Sequence, residues 1–405
     1  MNLWRARTCG FIVALSSIGV FTSTGGCSSG DDGAVRHATL VEAPRREGSS
    51  PVNPIAGPSP RIAAPPAEDD PPGQGEDEVA VAPFHIIGRF DARDAAGPRL
   101  GWPGTEIRAR FSGATLKVEL ADTGVSHYDV SVDGAPPTTL LVTGPRRPYV
   151  VAMGLAPGVH ELVLTKRTET LTGVTQLFGF DGTLVPSPVP SGRRIELIGD
   201  SITCGYGVLG GDGSCPFSPE TEAEPMAWGA RAAKQLGALR MVTAFSGLGV
   251  LRNFDGDTTE TMPQRYHRAL ANDPDSVWDH QAFDPHVVVV ALGTNDFAGG
   301  KGDPGPGFEA AYTELLATVR EAHPNARIVT ATSPMLSAAN HTKLRAYVVA
   351  AIAARAAAGD PKITLVDVDE QRESDGYGCG YHPSASTQQK MAARVVAHVE
   401  ALMGW

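Results

Sequence analysis

The sequence is poor in aromatic residues and has no excess of basic ones. Phe, Trp and Tyr together make up 6% of the 405 residues. There are 34 Lys and Arg residues against 45 Asp and Glu, which gives a formal net charge of −11 at pH 7. A chain this acidic, with no basic stripe, is not expected to bind nucleic acid. Its length is sufficient for two domains with a sizeable core.

The segment 28–83 lacks aromatic residues altogether. Nine prolines fall between Val41 and Ala80, and acidic patches occur at "AEDD" and "GEDE". Such a segment cannot bury enough apolar surface to offset the loss of chain entropy on folding. We therefore predict that residues 28–83 form a disordered, proline-rich tether.

Long apolar runs are also missing, and the apolar stretch nearest the N-terminus, "CGFIVALSSIGVF", is too short for a permanent membrane span. It follows the basic residues Arg5 and Arg7, so residues 1–27 are predicted to be an export signal. The small residues before Cys27 resemble a bacterial lipobox, in which the cysteine is lipidated. This predicts an outer-membrane or cell-surface lipoprotein. Plain secretion, to the periplasm or beyond, and an uncleaved anchor are the alternatives.

Cysteine is scarce, with five residues in the chain. Cys9 lies in the signal and Cys27 is the proposed lipid site, which leaves Cys204, Cys215 and Cys379 in an oxidising compartment. We expect two of these three to form a disulfide, and the sequence does not select the pair. Neither a CxxC spacing nor a histidine cluster accompanies them, so we expect no metal ion. We expect no cofactor either, because no Gly-Lys-Ser/Thr follows the glycines of "CGYG" to make a phosphate loop.

Residues 84–186 show the alternation of apolar and polar residues that is typical of half-buried strands. "TEIRARF", "TLKVEL" and "HYDVSVDG" each place apolar side chains at every second position, and "GVHELVLTKRTE" and "TQLFGFDG" continue the pattern. Short alternating strands separated by turn residues predict an antiparallel β-sandwich.

Residues 193–405 have a different pattern. Five apolar segments, "IELIG", "RMVTAF", "VVVVAL", "RIVTAT" and "ITLVDV", alternate with segments of helical periodicity. Continuous Val, Ile and Leu runs indicate strands that are buried on both faces. This part is therefore predicted to be a doubly wound α/β domain with flavodoxin-like strand order.

Polar residues follow several of the predicted parallel strands. Ser201 comes after the first strand, Gly247 after the second and Asn295 after the third, while His382 precedes the last helix. Because ligands bind beyond the carboxyl ends of strands in such a sheet, we expect these four residues to converge.

This set of residues suits nucleophilic catalysis. A serine hydroxyl needs a base to accept its proton, and histidine is the usual one. The amides of Ser201 and Gly247 and the side-chain amide of Asn295 would stabilise an oxyanion. Taken singly, Ser201 would more often be a helix cap, Asn295 a turn residue and His382 a lead-in to a helix. Their joint placement at strand ends favours the catalytic interpretation.

The blocks "GDSITCGYG", "SGLG", "GTNDF" and "YHPS", in this order, resemble those of the GDSL/SGNH hydrolases. Further stretches, including "CPFSPETE", "FSGLGVLRNF", "DGYGCGYHPS" and "WPGTEIRARFSG", are similar to carbohydrate esterase family two. The resemblance covers residues 84–405. It implies a jelly-roll sandwich followed by an SGNH domain, and removal of acetyl groups from polysaccharides such as xylan or mannan. It also implies that Ser201 is the nucleophile, His382 the base, and Gly247 and Asn295 the other oxyanion-hole residues.

The residue that orients His382 is left open. SGNH enzymes usually carry an aspartate three residues before the histidine, where this chain has Cys379. The nearest upstream acid is Asp375, which is a candidate third catalytic residue. A Ser–His dyad, in which a main-chain carbonyl orients the histidine, is the favoured alternative because the intervening loop is rich in glycine.

Two other functions remain open from the sequence alone. One is an esterase acting on peptidoglycan or on another small-acyl ester. The other is a surface lipoprotein that binds carbohydrate without catalysis. In each case we expect a monomer.

Overall fold

The computed structural model describes residues 81–405. The predicted signal peptide, Cys27 and nearly all of the predicted tether lie outside the described residues.

The N-terminal part of the described chain is an antiparallel β-structure. Its strands are β1 (Val81–Ala82), β2 (Phe84–Ile87), β3 (Arg99–Leu100), β4 (Glu106–Val132), β5 (Thr138–Ala152), β6 (Val159–Lys166), β7 (Thr175–Val185) and β8 (Ser187–Pro188). Strand β4 pairs with β2, β5, β6 and β7, and β3 pairs with β7. Strands β1 and β8 form a separate two-stranded ribbon. The jelly-roll strand order stays a prediction.

Strand β4 differs from the sequence-based prediction. The three segments that we predicted as separate strands, "TEIRARF", "TLKVEL" and "HYDVSVDG", fall in this one 27-residue strand except for Thr105 before it and the Asp133-Gly134 turn after it. Its partner changes between Ser112 and Lys117, and its register shifts again between Leu120 and Val125. Gly113, at φ 108°, supplies a bend that a residue with a side chain rarely adopts. The chain therefore bends at the predicted turns without ending the strand.

The C-terminal part is a parallel five-stranded sheet. Its strands are β9 (Arg193–Gly199), β10 (Ala238–Ala244), β11 (Val287–Ala291), β12 (Arg327–Ala331) and β13 (Ile363–Val366). They are ordered β10-β9-β11-β12-β13, which is the flavodoxin-like order 2-1-3-4-5. The predicted doubly wound α/β fold is thus confirmed.

Helices cover both faces of this sheet. The helices are α1 (Ser201–Cys204), α2 (Trp228–Gln235), α3 (Met262–Arg265), α4 (Thr294–Phe297), α5 (Pro306–Ala322), α6 (Ala338–Ala357) and α7 (Ala385–Met403). Helices α5 and α6 pack into one apolar core and α2 and α7 into another. Among the described residues, none of the helices combines the length and apolar character that crossing a membrane requires.

Candidate active site

Ser201 lies where the first parallel strand turns into a helix. Strand β9 ends at Gly199, and Ser201 begins α1 after Asp200. The Asp200 side chain caps the helix by accepting a hydrogen bond from the Ile202 amide at 3.0 Å. Ser201 is 7% exposed, so most of its surface is shielded from solvent. The cap fixes the direction in which this hydroxyl projects.

His382 contacts Ser201 from the far end of the chain. Its Nε2 lies 2.9 Å from Ser201 Oγ, and its Nδ1 lies 3.2 Å from the carbonyl oxygen of Gly380. The ring of Tyr206 packs against the imidazole with a centroid separation of 4.1 Å. Burial lowers the pKa of His382 to about 4, and the hydrogen bonds to main-chain carbonyls oppose this only in part. The imidazole is therefore neutral near pH 7 and able to accept a proton.

The candidate oxyanion donors lie at the neighbouring strand ends. Gly247 follows β10 with φ 83°, a left-handed conformation that favours glycine. Among residues 81–405, neither the Ser201 amide nor the Gly247 amide has a hydrogen-bond acceptor. The Asn295 side-chain amide donates to the Leu248 carbonyl at 2.8 Å and makes a long contact of 3.5 Å with Asp200. The Ser201 and Gly247 amides are thus free to donate to a negatively charged oxygen, whereas the Asn295 carboxamide must give up its long contact with Asp200 to do so.

Asp375 is not brought to the site. Its carboxylate contacts Lys390 Nζ at 2.5 Å and Ser386 Oγ at 3.5 Å, and no hydrogen bond joins it to His382. The 3-10 turn Cys379–Tyr381 separates Asp375 from the histidine and directs its own carbonyl toward the imidazole. The geometry therefore fits a Ser–His pair oriented by the main chain rather than one oriented by Asp375.

Two acids that sequence reasoning did not single out support the site. Asp296 accepts hydrogen bonds from the amides of Val250, Leu251 and Arg252 at 2.8–3.0 Å, which fixes the loop after Gly247. Burial raises its pKa to about 6, although these amides favour the charged form. Burial likewise raises the pKa of Asp200 to about 7. The sequence could have indicated both acids, because each is adjacent to a candidate residue: Asp200 precedes Ser201 in "GDS", and Asp296 follows Asn295 in "GTND".

A disulfide joins the loop that precedes and includes His382, residues 376–382, to the loop after α1; the former is called the histidine loop. Cys215 and Cys379 are bonded, and Cys204 is a buried free thiol in α1. The expectation that two of the three cysteines pair is confirmed, and the structure selects the pair. One group of possible metal ligands occurs among the described residues, namely Glu169, Cys204 and Glu222. Glu169 already accepts hydrogen bonds from the amide and hydroxyl of Ser246.

Comparison with known proteins assigns both halves of the chain. Residues 86–188 match the family "Carbohydrate esterase 2 N-terminal", and residues 197–390 match the "GDSL-like Lipase/Acylhydrolase family". A solved family two carbohydrate esterase from Clostridium thermocellum, in complex with cellohexaose, is 36% identical to this chain. The alignment covers 80% of this chain and 99% of that one, with a TM-score of 0.76. The chain therefore has the architecture of a GDSL-like hydrolase with an N-terminal β-domain. More specifically, it belongs to carbohydrate esterase family two.

Curated relatives point in the same direction. The cellulase/esterase CelE of Acetivibrio thermocellus is 36% identical over 321 residues, which cover 78% of this chain and 39% of that protein. The chain thus spans about two fifths of the length of this relative. An acetylxylan esterase/glucomannan deacetylase of Cellvibrio japonicus is 26% identical over 81% of this chain and 91% of its own length.

Proposed function

We propose that this protein is a serine esterase that removes acetyl groups from polysaccharides such as xylan or mannan. The observation that carries the proposal is the 2.9 Å contact between Ser201 Oγ and His382 Nε2, beside two free main-chain amides. A nucleophile, a base and oxyanion donors at one sheet edge are the parts that acyl transfer requires.

The reaction follows from these positions. His382 Nε2 takes the proton of Ser201 Oγ as the oxygen attacks the acetyl carbonyl carbon. The resulting oxyanion accepts hydrogen bonds from the amides of Ser201 and Gly247 and from the side chain of Asn295. When the tetrahedral species collapses, the sugar hydroxyl leaves with the proton from His382. In the second half of the reaction His382 takes a proton from water as the water oxygen attacks the acetyl carbon, and Ser201 Oγ then leaves with that proton, which releases acetate.

The substrate assignment is supported by the surface beside the site and by the relatives. Phe254, which is 54% exposed, lies against Gly247, and Tyr381, which is 59% exposed, precedes His382. Exposed aromatic rings of this kind can pack against sugar rings. The Cellvibrio relative is named for acetylxylan and glucomannan, and the Clostridium structure contains cellohexaose.

The function is tested with acetate release from acetylated xylan, mannan and peptidoglycan, together with hydrolysis of p-nitrophenyl acetate. We expect wild type to deacetylate a plant polysaccharide, and Ser201→Ala to lower kcat by at least about 10³-fold. Ser201→Ala activity within tenfold of wild type would rule out this nucleophile. Release from peptidoglycan alone would change the substrate class. Glycan binding without any hydrolysis would favour the non-catalytic alternative.

We also propose that the protein is exported and attached to a membrane through a lipid on Cys27, and that it is a monomer. The Cys215–Cys379 disulfide supports an oxidising compartment. Metabolic labelling with a fatty acid should mark wild type and leave Cys27→Ser unlabelled. Equal labelling of both proteins would contradict lipidation at this residue, and a dimer mass in light scattering would contradict the monomer.

A further inference from the structure

A buried carboxylate of the N-terminal β-domain contacts the loop of the α/β domain that follows β10 and carries Gly247. Glu169 lies between β6 and β7 and is fully buried. One of its oxygens accepts a hydrogen bond from the Ser246 amide at 2.8 Å, and the other accepts from the Ser246 hydroxyl. Both donors of this serine are therefore held by one side chain that comes from the other domain.

Ser246 is the first central residue of a tight turn that presents the Gly247 amide. The Leu248 amide donates to the Phe245 carbonyl at 3.4 Å, and Gly247 has φ 83°. A left-handed residue at the third position defines a type II turn, for which φ is about +80°. The peptide bond between Ser246 and Gly247 is the central peptide of this four-residue turn. In a type I turn this peptide would be rotated by about half a turn, so the Gly247 N–H would point in the opposite direction.

The turn is held on both sides of this peptide. Glu169 fixes Ser246 before it, and the Phe254 amide donates to the Gly247 carbonyl at 2.9 Å after it. The central N–H itself has no acceptor among the described residues, so it is free to donate to a reacting oxygen. The orientation of the donor therefore depends on its two neighbours.

Glu169 is in turn held by its own surroundings. The amide and hydroxyl of Thr172 donate to its carbonyl at 3.2 and 2.9 Å, and its amide donates to Glu222 at 3.3 Å. Lys166, also buried, donates to the Thr168 carbonyl at 2.8 Å nearby. Burial raises the pKa of both Glu169 and Glu222, while the Ser246 donors and Lys166 favour the charged form of Glu169. The pKa of Glu222 is raised well above its ordinary value.

We infer that Glu169 is a positioning residue for the oxyanion hole: by clamping Ser246 it sets the turn that aims the Gly247 amide at the reacting oxygen. The inference rests on the proposed function, and it makes the β-domain a part of the catalytic arrangement. Glu169 does not touch the substrate, so its removal should act on the developing oxyanion and leave substrate binding nearly unchanged.

The test measures kcat and KM for p-nitrophenyl acetate, and the Ki of ethylboronic acid, in Glu169→Ala, Glu169→Gln and Ser246→Ala. The boronic acid forms a tetrahedral adduct with Ser201 Oγ and so reports on the hole without turnover. In Glu169→Ala, kcat should fall about 10- to 100-fold, less than the 10²–10³-fold of deleting a donor outright. KM should stay within about twofold, and the Ki should rise in parallel with the loss of kcat.

Two variants separate positioning from folding. Glutamine can accept from the Ser246 amide and donate to its hydroxyl, so Glu169→Gln should retain kcat within about fivefold of wild type. The Glu169→Ala and Ser246→Ala losses should be non-additive in the double variant, because Ser246→Ala removes one of the two hydrogen bonds that Glu169→Ala removes. Glu106→Ala is the matched control. Glu106 is a buried carboxylate of the same domain that contacts Arg240 across the domain boundary at 2.9 Å. Glu106→Ala should lower the Tm of the protein without changing the Ki of ethylboronic acid.

The outcomes distinguish this inference from the proposed function. A wild type that neither hydrolyses the ester nor binds the boronic acid would overturn both. An active wild type with an unchanged Ki in Glu169→Ala would overturn only the role of Glu169. A reduced fraction of active sites with an unchanged Ki would make Glu169 a folding residue and would likewise reject the inference.

Discussion

The His382 imidazole receives its orientation from a main-chain carbonyl. A carboxylate at this position would stabilise the imidazolium by charge, whereas the Gly380 carbonyl offers only a dipole. Burial therefore dominates and lowers the pKa of His382 to about 4. At the level of single residues, the proposed base is therefore neutral near pH 7 and has a low proton affinity.

The pH profile of kcat/KM should reflect this environment. The base works only when neutral, so activity is present above its folded-state pKa and is lost as pH falls through it. We expect the acid limb near pH 4, well below the ordinary histidine value of 6.5. Because the pKa of Asp200 is raised to about 7, the profile is also recorded for Asp200→Asn. An inflection near 7 should vanish in that variant and the limb near 4 should remain. A limb at or above 6.5 that persists in Asp200→Asn would contradict the assignment to His382.

Asp375 provides a second prediction at this scale. Its carboxylate pairs with Lys390 instead of the imidazole, so Asp375→Asn should lower kcat by less than about tenfold. Neutralising the aspartate of a true triad costs about 10⁴-fold. Lys390→Met, which removes the same ion pair from the other side, is the matched control and should behave alike. A loss above a hundredfold in folded Asp375→Asn alone would make this residue the third catalytic group.

Strand-end reasoning was enough to predict which residues gather, but not what orients the base. Ser201, Gly247 and Asn295 come shortly after β9, β10 and β11, so the parallel sheet brings them to one edge, although the sheet does not set the orientation of the Gly247 amide. The orientation of His382 depends on the conformation of the preceding loop. Gly380 and Tyr381 both have positive φ, at 62° and 57°, and a left-handed tyrosine is not a residue that a sequence pattern predicts.

At the level of elements, hydrogen bonds to the loop after α1 hold the conformation of the histidine loop. The amides of Cys379, Gly380 and Tyr381 donate to carbonyls of Gly207, Cys215 and Gly213 at 2.9–3.0 Å. The Cys215–Cys379 disulfide links the same two loops covalently. Since Gly380 supplies the acceptor for the imidazole, loosening this link should disturb the base as well as the fold.

Removing the disulfide should therefore lower both kcat and stability. We expect the double variant Cys215→Ser/Cys379→Ser to lose roughly tenfold or more in kcat, and to unfold at lower temperature, since removing a native disulfide costs about 2–5 kcal/mol. Wild type treated with a phosphine reductant should lose activity in the same way. Cys204→Ala, which lacks only the free thiol, is the control and should keep this sensitivity. Full kcat in the double variant would show that the hydrogen bonds hold the loop alone.

The elements themselves were predicted with different success in the two halves of the chain. The apolar runs of the parallel strands and the long helices α5, α6 and α7 were recognised because their burial pattern is continuous or strongly periodic. In the β-domain, turn residues predicted strand ends that are only bends in β4, because glycine and register shifts let one strand change partners.

At the level of the whole molecule, the two parts share buried contacts. The division into two domains, residues 84–186 and 193–405, remains a prediction. Trp102 of the first part is fully buried in the core that α5 and α6 form with the sheet. Arg89, also of the first part, pairs with Glu196 of β9 at 2.8 Å, and both side chains are fully buried. We therefore expect the two parts to unfold in one cooperative transition.

The Arg89–Glu196 pair carries the last prediction. Glu196 also accepts hydrogen bonds from Thr243 at 2.9 Å and contacts His323 at 2.8 Å, so losing Arg89 leaves a buried charge without its main partner. Arg89→Met should lower the free energy of unfolding by about 3–5 kcal/mol, as measured by urea denaturation. Asp273→Asn is the matched control. It neutralises the partly exposed Arg93–Asp273 ion pair between the same two parts and leaves Arg93 bound to the buried Asp91, so it should cost less than about 1 kcal/mol.

The pH dependence of that difference follows from the charge of Glu196. Burial alone would raise its pKa, but Arg89 and His323 hold it at about 2, below the ordinary value of 4.5. A carboxyl whose pKa is depressed in the folded state stabilises it above the unfolded-state pKa, and this contribution is lost as pH falls through the folded-state pKa. The gap in stability between wild type and Arg89→Met should therefore be largest above pH 4.5 and should narrow toward pH 2. A gap that stays constant across this range would assign the role of Arg89 to packing against Tyr266, whose ring lies 4.9 Å from the guanidinium, rather than to its charge.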